Sequence, residues 1–139
     1  MNSTRLALRI VCWTGRILAL GLFMFWGAFF LEHLKEWFMH PLQGSPPIWV
    51  WLAQLAHLAI LVGLVALWRW PIGGSIVTIV ASLLFFGGLT IAAGTGGHRY
   101  LLFVAFFAVT IIPALLSLVC GFARRRFRPL HEASAQSCL

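Results

Sequence analysis

The chain has 139 residues, of which 61% are hydrophobic and only 9% are charged. A soluble domain is on average about 25% charged, so this composition excludes an ordinary water-soluble fold. A helix needs about 20 apolar residues to cross a membrane, and four such stretches fill almost the whole sequence. The net charge of +7 comes from basic residues beside these stretches. It therefore favours membrane orientation over nucleic-acid binding.

The first two spans are predicted at residues 16–40 and 48–67. The first follows Arg5 and Arg9 and ends before Pro41, where Gly, Ser and Pro residues predict a short turn. The second ends at Trp68–Pro71, which combines interface aromatics with a helix stop.

The third and fourth spans are predicted at residues 72–94 and 100–122, joined by a glycine-rich turn. On the third, the small residues fall on one arc at 100° per residue and predict a packing face: Gly74, Ser75, Thr78, Ala81 and Ser82. Residues 123–139 are basic and then polar, which predicts a disordered cytoplasmic tail.

These elements predict an all-α integral membrane protein, in which a single domain, residues 1–122, is a four-helix transmembrane bundle of up-down-up-down order. With both termini inside, only Lys35 and Arg99 lie outside, and eight arginines are cytoplasmic: Arg5, Arg9, Arg16, Arg69, Arg124, Arg125, Arg126 and Arg128. The positive-inside rule therefore predicts N-in/C-in topology, and we expect a cell inner (plasma) membrane. The last four arginines are candidate contacts for anionic lipid.

The three cysteines, Cys12, Cys120 and Cys138, show no CxxC spacing. In the predicted topology all three face a reducing compartment, so we expect no disulfide.

One polar cluster interrupts the apolar pattern, at the outer end of the first helix. Glu32, His33, Glu36 and His40 fall within an arc of about 100° on a helical projection, above Phe25 and Phe29. The second helix carries Gln54 and His57 inside its span. If the first two helices form an antiparallel hairpin with His40 level with Ile48, Glu32 and His33 share one layer with Gln54 and His57. His98 and Arg99 in the other outer turn would then cap this layer.

Three interpretations of this cluster remain open. It is a solvated helix end, with Gln54 and His57 bonded to neighbouring helices; or it binds haem b or a transition metal; or it handles protons or cations. The candidate haem ligands are His33, His40 and His57. The candidate metal ligands are Glu32, His33, Glu36, His40, His57 and His98.

The sequence gives no sign of an enzyme, because it contains no aspartate and no glycine-rich phosphate loop. In hydropathy the four short-looped spans resemble several small bacterial membrane families, including the DoxX-like proteins, and this likeness carries no site residues. The function expected first is an accessory or assembly subunit of a larger membrane complex, with the lipid bilayer and other subunits as partners. A haem or metal protein and a small ion-coupled transporter are the alternatives.

Overall fold

The computed structural model describes residues 3–39, 47–93 and 98–136, and every regular element in these ranges is a helix. Helix α1 is Ser3–Met39, α2 is Ile48–Ala66, α3 is Pro71–Ala93 and α4 is His98–Gln136. Each contains a stretch long and apolar enough to cross a membrane. The prediction of an all-helical chain with four such helices is confirmed, whereas most of the first and third predicted turns lies outside the described residues.

The four helices form a closed bundle. Each packs against the next in sequence, and α1 also packs against α4. The connection between α2 and α3 is a tight turn, in which Trp70 N donates to Ala66 O at 2.7 Å and Gly74 N donates to Trp70 O at 2.8 Å. Helix α3 begins one residue earlier than predicted, because proline is accommodated at the first position of a helix.

Helices α2 and α3 approach closely at two glycines. A Cβ atom at Gly63 would lie 2.9 Å from Thr78 N, and one at Gly74 would lie 2.5 Å from Leu67 N. Both distances involve backbone, which cannot move aside as a flexible side chain can. Any larger residue at either position would therefore force the two helices apart.

The small-residue arc predicted on α3 is buried throughout, as a packing face requires: Gly74, Ser75, Thr78, Ala81 and Ser82. Two of its three hydroxyl groups bond to backbone: Ser75 Oγ lies within hydrogen-bond distance of Pro71 O and of Ala114 O, the latter at 2.7 Å, and Thr78 Oγ1 donates to Gly74 O at 2.8 Å. The Ser82 hydroxyl is buried with no hydrogen-bond partner among the described residues. The contact of Ser75 with Ala114 O joins α3 to α4. The packing interpretation of this face is confirmed.

Helix α1 extends well past the α2–α3 turn. Arg16 marks the level of that turn, because its Nη2 donates to Trp68 O at 3.4 Å and its guanidinium lies 5.8 Å from the Trp68 ring centroid. We call this the basic end of the bundle. The residues from Ser3 to Gly15 therefore extend past the α2–α3 turn by roughly 20 Å, at about 1.5 Å per residue, and the nearer part of this extension packs against α4 at Cys120 and Leu116. Helix α4 also continues, to Gln136, where the sequence predicts a disordered tail.

A disulfide bond joins Cys12 of α1 to Cys120 of α4, with a Cα–Cα distance of 5.7 Å. The expectation of no disulfide is thus wrong for this pair. Sequence spacing gave no signal, because 108 positions separate the two cysteines and only the packing of the first helix on the last brings them together. Gly15 lies beside them and permits this approach, since a Cβ there would lie 3.2 Å from Leu116 Cβ.

Candidate functional site

His57 lies at the centre of an aromatic cluster inside the bundle. It is 1% exposed, and its ring centroid is 5.4 Å from that of Trp26, 5.3 Å from Phe30 and 5.1 Å from Phe85. Its Nε2 atom has no hydrogen-bond partner among the described residues. A buried polar atom without a partner is costly, so this atom is a candidate ligand position or a tolerated cost of packing.

The register of α1 against α2 differs from the predicted one. His57 is level with Trp26 and Phe30, about one turn deeper than the layer of Glu32 and His33 in which the sequence placed it. The prediction set the register from the connecting turn. Trp26 sets it instead, because this large side chain fills the middle of the bundle and packs against both Phe85 and Phe86.

His33 lies above this cluster and is separated from His57 by a phenylalanine. The ring of Phe29 is 4.3 Å from the His33 centroid and 6.0 Å from that of His57. The Nδ1 atom of His33 is 3.0 Å from Phe29 O. Because a carbonyl only accepts, Nδ1 carries the proton in this bond, and in the neutral ring Nε2 keeps its lone pair.

A groove of about 420 Å³ opens beside His33 at the end of the bundle opposite the basic end, and it is lined by Phe29, Glu32, His33, Lys35, Glu36 and Met39. Its charged side chains are exposed, as a solvated helix end requires. Of the two phenylalanines predicted beneath the polar cluster, Phe29 lines the groove and Phe25 does not.

The structure brings together only part of the predicted ligand set. Among the described side chains, no three of the types His, Cys, Asp and Glu converge to hold a metal ion. His40 and the side chain of His98 lie outside the described residues. Binding of a metal or of haem b by this set stays a prediction.

A second feature, missed by the sequence analysis, is an apolar stripe on the outer face of α1. The stripe consists of seven large side chains, each 47–65% exposed: Leu6, Ile10, Trp13, Ile17, Leu20, Met24 and Leu31. They recur at alternating intervals of four and three residues. Gly27 occupies the one position in this repeat that has no large side chain. Exposed apolar side chains recur at this spacing on α2 as well, at Leu55, Leu58, Val62 and Val65. On α1 the repeat is sustained from residue 6 to residue 31, as in helices that pack along each other at a shallow angle.

Beside the stripe runs a line of small exposed residues at the same spacing, Ala7, Thr14, Gly21 and Ala28. A Cβ atom at Gly21 or at Gly27 would meet no other atom within 4 Å, so this face is open. Small residues beside a ridge of large ones let another helix approach closely in a membrane. The α1 face thus has the ridge and groove that are typical of a helix-packing surface.

Helix α1 is also the least covered of the four. Only 11% of its most apolar window is buried inside the bundle, against 39% for α3. The stripe moreover continues past the basic end, where Leu6, Ile10 and Trp13 project beyond Arg16.

The basic run after the fourth span is described in part. Arg125 and Arg126 are exposed, whereas the side chains of Arg124 and Arg128 lie outside the described ones. The contact with anionic lipid stays a prediction.

Comparison with known proteins gives a family and no activity. A protein-family model described as "Domain of unknown function (DUF7670)" matches residues 2–129. No curated protein and no solved structure matches the chain. The match includes residues of all four helices. The His57 cluster and the α1 stripe therefore both lie within the domain that defines this family.

Proposed function

Because the chain belongs to the DUF7670 family, whose description assigns no activity, we propose a function from the geometry of its helices. The protein is an accessory subunit of a larger inner-membrane complex, and it packs the exposed face of α1 against a helix of another subunit. The observation that carries this proposal is the seven-residue repeat of large apolar side chains on α1.

The projecting part of the stripe supports a protein partner over lipid. Leu6 is 47% exposed and Ile10 is 58% exposed, and they lie roughly 15 Å and 9 Å beyond Arg16 at about 1.5 Å per residue. The proposal places the hydrocarbon boundary at Arg16, and beyond it exposed side chains of this size cost free energy unless another protein covers them. A partner helix that continues out of the membrane would cover them.

The charges beside the stripe favour a partner of different sequence. Arg9 is exposed and flanks Ile10 and Trp13, at a position where charges in paired helices face each other. In a parallel pair of identical α1 helices, Arg9 of one copy would face Thr14 of the other, which offers it no opposite charge. A partner with an acidic residue at this level would be attracted instead.

For the membrane topology we propose that the basic end faces the cytoplasm. The arginine distribution supports this orientation, and it places the Glu32–Glu36 groove on the outer side. The metal, haem and ion-transport alternatives rest on the region between His33 and His57, and they predict a cofactor or ion flux instead of a partner helix.

Two glycine substitutions test the proposed docking face. Gly21→Leu fills the small-residue line without meeting an atom of its own chain, and Gly88→Leu, on the exposed side of α3, is the matched control because a Cβ there also meets nothing within 4 Å. The readout is the size and composition of the particle purified in mild detergent. We expect wild type and Gly88→Leu to hold a stoichiometric second protein and Gly21→Leu to lose it. One size for all three, equal to a single chain or a homo-oligomer, would contradict the proposal.

A further inference from the structure

We propose that Cys12 and Cys120 form a reversible thiol–disulfide site, which opens and closes the link between α1 and α4 by exchange with dithiols and peroxides of the cytoplasm. This inference uses the orientation proposed above, and it does not depend on the identity of any partner subunit.

The two cysteines stand on neighbouring helices at a distance that suits both states. Their Cα atoms are 5.7 Å apart, within the usual range of about 4.4–6.8 Å for disulfides, and each helix is continuous through its cysteine. The bond can therefore break without requiring either helix to unfold. Cys12 is half-buried and Cys120 is 4% exposed, so Cys12 is the more accessible residue of the pair.

The surroundings of the pair favour a reactive thiolate. Cys12 and Cys120 line a small cavity together with Arg16 and Ser117. A cation beside a cysteine stabilises the thiolate, which is the form that attacks disulfides and peroxides. The chain's other cations near this end include Arg9 and Arg69, whereas Glu32 and Glu36 lie at the opposite end of α1. The third acidic residue, Glu132, lies twelve positions beyond Cys120 on α4, roughly 18 Å along the helix at about 1.5 Å per residue.

The position of the pair in the cell makes a permanent bond unexpected. The proposed orientation places the basic end in the cytoplasm, where dithiol reductants keep cysteines reduced. A disulfide that persists there is typically one that forms and breaks as part of a function. The bond also closes a loop of 108 positions between the first and last helices, so its state governs how firmly the least covered helix is held.

Each direction of the reaction is balanced by a named reagent. In oxidation the Cys12 thiolate attacks hydrogen peroxide, which releases water and leaves a sulfenic acid; the Cys120 thiol then attacks that sulfur and releases a second water. In reduction the thiolate of a dithiol protein attacks Cys12, and Cys120 leaves as a thiol after taking up a proton. The second thiol of that protein then releases Cys12 and becomes part of its own disulfide.

Thiol labelling of the full chain in cells tests the site directly. Cys138→Ser removes the third cysteine, cells are quenched with acid, and a maleimide polymer counts free thiols by gel shift. We expect two labels in untreated cells, none soon after addition of peroxide, and two again after the peroxide is consumed. No labels in untreated cells, or two labels that persist under peroxide, would overturn the proposal. The subunit proposal is read from particle size, so the two can fail separately.

A second measurement isolates the contribution of Arg16. Purified protein is reduced, and the rate of disulfide formation with peroxide is followed by the same labelling. We expect Arg16→Gln to slow the reaction several-fold and Arg69→Gln, whose side chain does not line the cavity, to leave it unchanged. Equal rates in the two variants would contradict the role of Arg16.

Discussion

Trp26 of α1 donates its indole Nε1–H to the hydroxyl of Thr110 on α4, at 3.1 Å, across 84 positions of sequence. The Thr110 hydroxyl in turn donates to Phe106 O at 2.7 Å, so it accepts from one helix and donates within its own. Trp26 is 5% exposed and Thr110 is fully buried. This bond fixes the position of the side chain that sets the register of α1 and encloses His57.

Removing the hydroxyl should weaken the attachment of α1. Thr110→Val keeps the shape and leaves the buried Trp26 N–H without its acceptor, and hydrogen bonds between membrane helices contribute about 1 kcal/mol. We expect the free energy of unfolding in detergent to fall by about that amount. Thr110→Ser, which keeps the hydroxyl, is the control, and a loss as large in the serine variant would refute the role of the bond.

Two adjacent glycines at the start of α3 should respond differently to alanine. Gly74→Ala forces a Cβ against Leu67 N, whereas the nearest atom to a Cβ at Gly73 is Trp70 Cβ at 3.8 Å. Overpacking costs about 1–3 kcal/mol, so Gly74→Ala should be clearly destabilised. Gly73→Ala should stay within about 1 kcal/mol of wild type, since alanine favours helix. Thermal unfolding in detergent compares the two, and equal effects would contradict the close approach of α2 and α3.

Replacing His57 distinguishes a packing residue from a ligand. Its Nε2 has no partner among the described residues, so an apolar side chain there removes a desolvation cost of about 1–3 kcal/mol, which offsets part of the packing lost with the ring. We expect His57→Leu to fold. Visible spectra with and without dithionite, together with metal analysis of wild type, complete the test. A haem band or stoichiometric metal that His57→Leu abolishes would establish the cofactor alternative.

The proposed orientation can be read with reporters on the intact chain. A reporter fused after Leu139 should be active in the cytoplasm, and one inserted at Gly44 should be active outside. The arginines that flank the basic end are the physical reason. The reverse pattern would turn the Glu32–Glu36 groove to the cytoplasm and the cysteine pair to the outer side.

The sequence predicted what depends on local hydropathy and small-residue spacing. The four apolar helices follow from composition, and the buried face of α3 follows from the 100° projection of Ser75, Thr78 and Ser82. The extension of α1 was missed because Arg5 and Arg9 were interpreted as the membrane boundary, although neither stops a helix. Its apolar stripe was detectable as a seven-residue repeat.

Features that depend on packing between distant helices could not be predicted in the same way. The Cys12–Cys120 bond requires the first and last helices to be neighbours, and no sequence spacing encodes that. The layer of His57 depends on where Trp26 fits between α2, α3 and α4, which is a matter of side-chain volume. The sequence therefore identified the histidines and aromatics of this region correctly, but it joined them in the wrong register.

Site-specific photo-cross-linking tests the central claim most directly, with a benzophenone amino acid in place of Ile17 on the α1 stripe or of Leu84 on α3. These residues are 65% and 67% exposed, so access to the probe is matched. We predict one defined protein adduct from position 17, none from position 84, and loss of the adduct when Gly21→Leu, but not Gly88→Leu, is added. Lipid adducts alone from both positions, or an adduct to a second copy of the chain, would contradict the account.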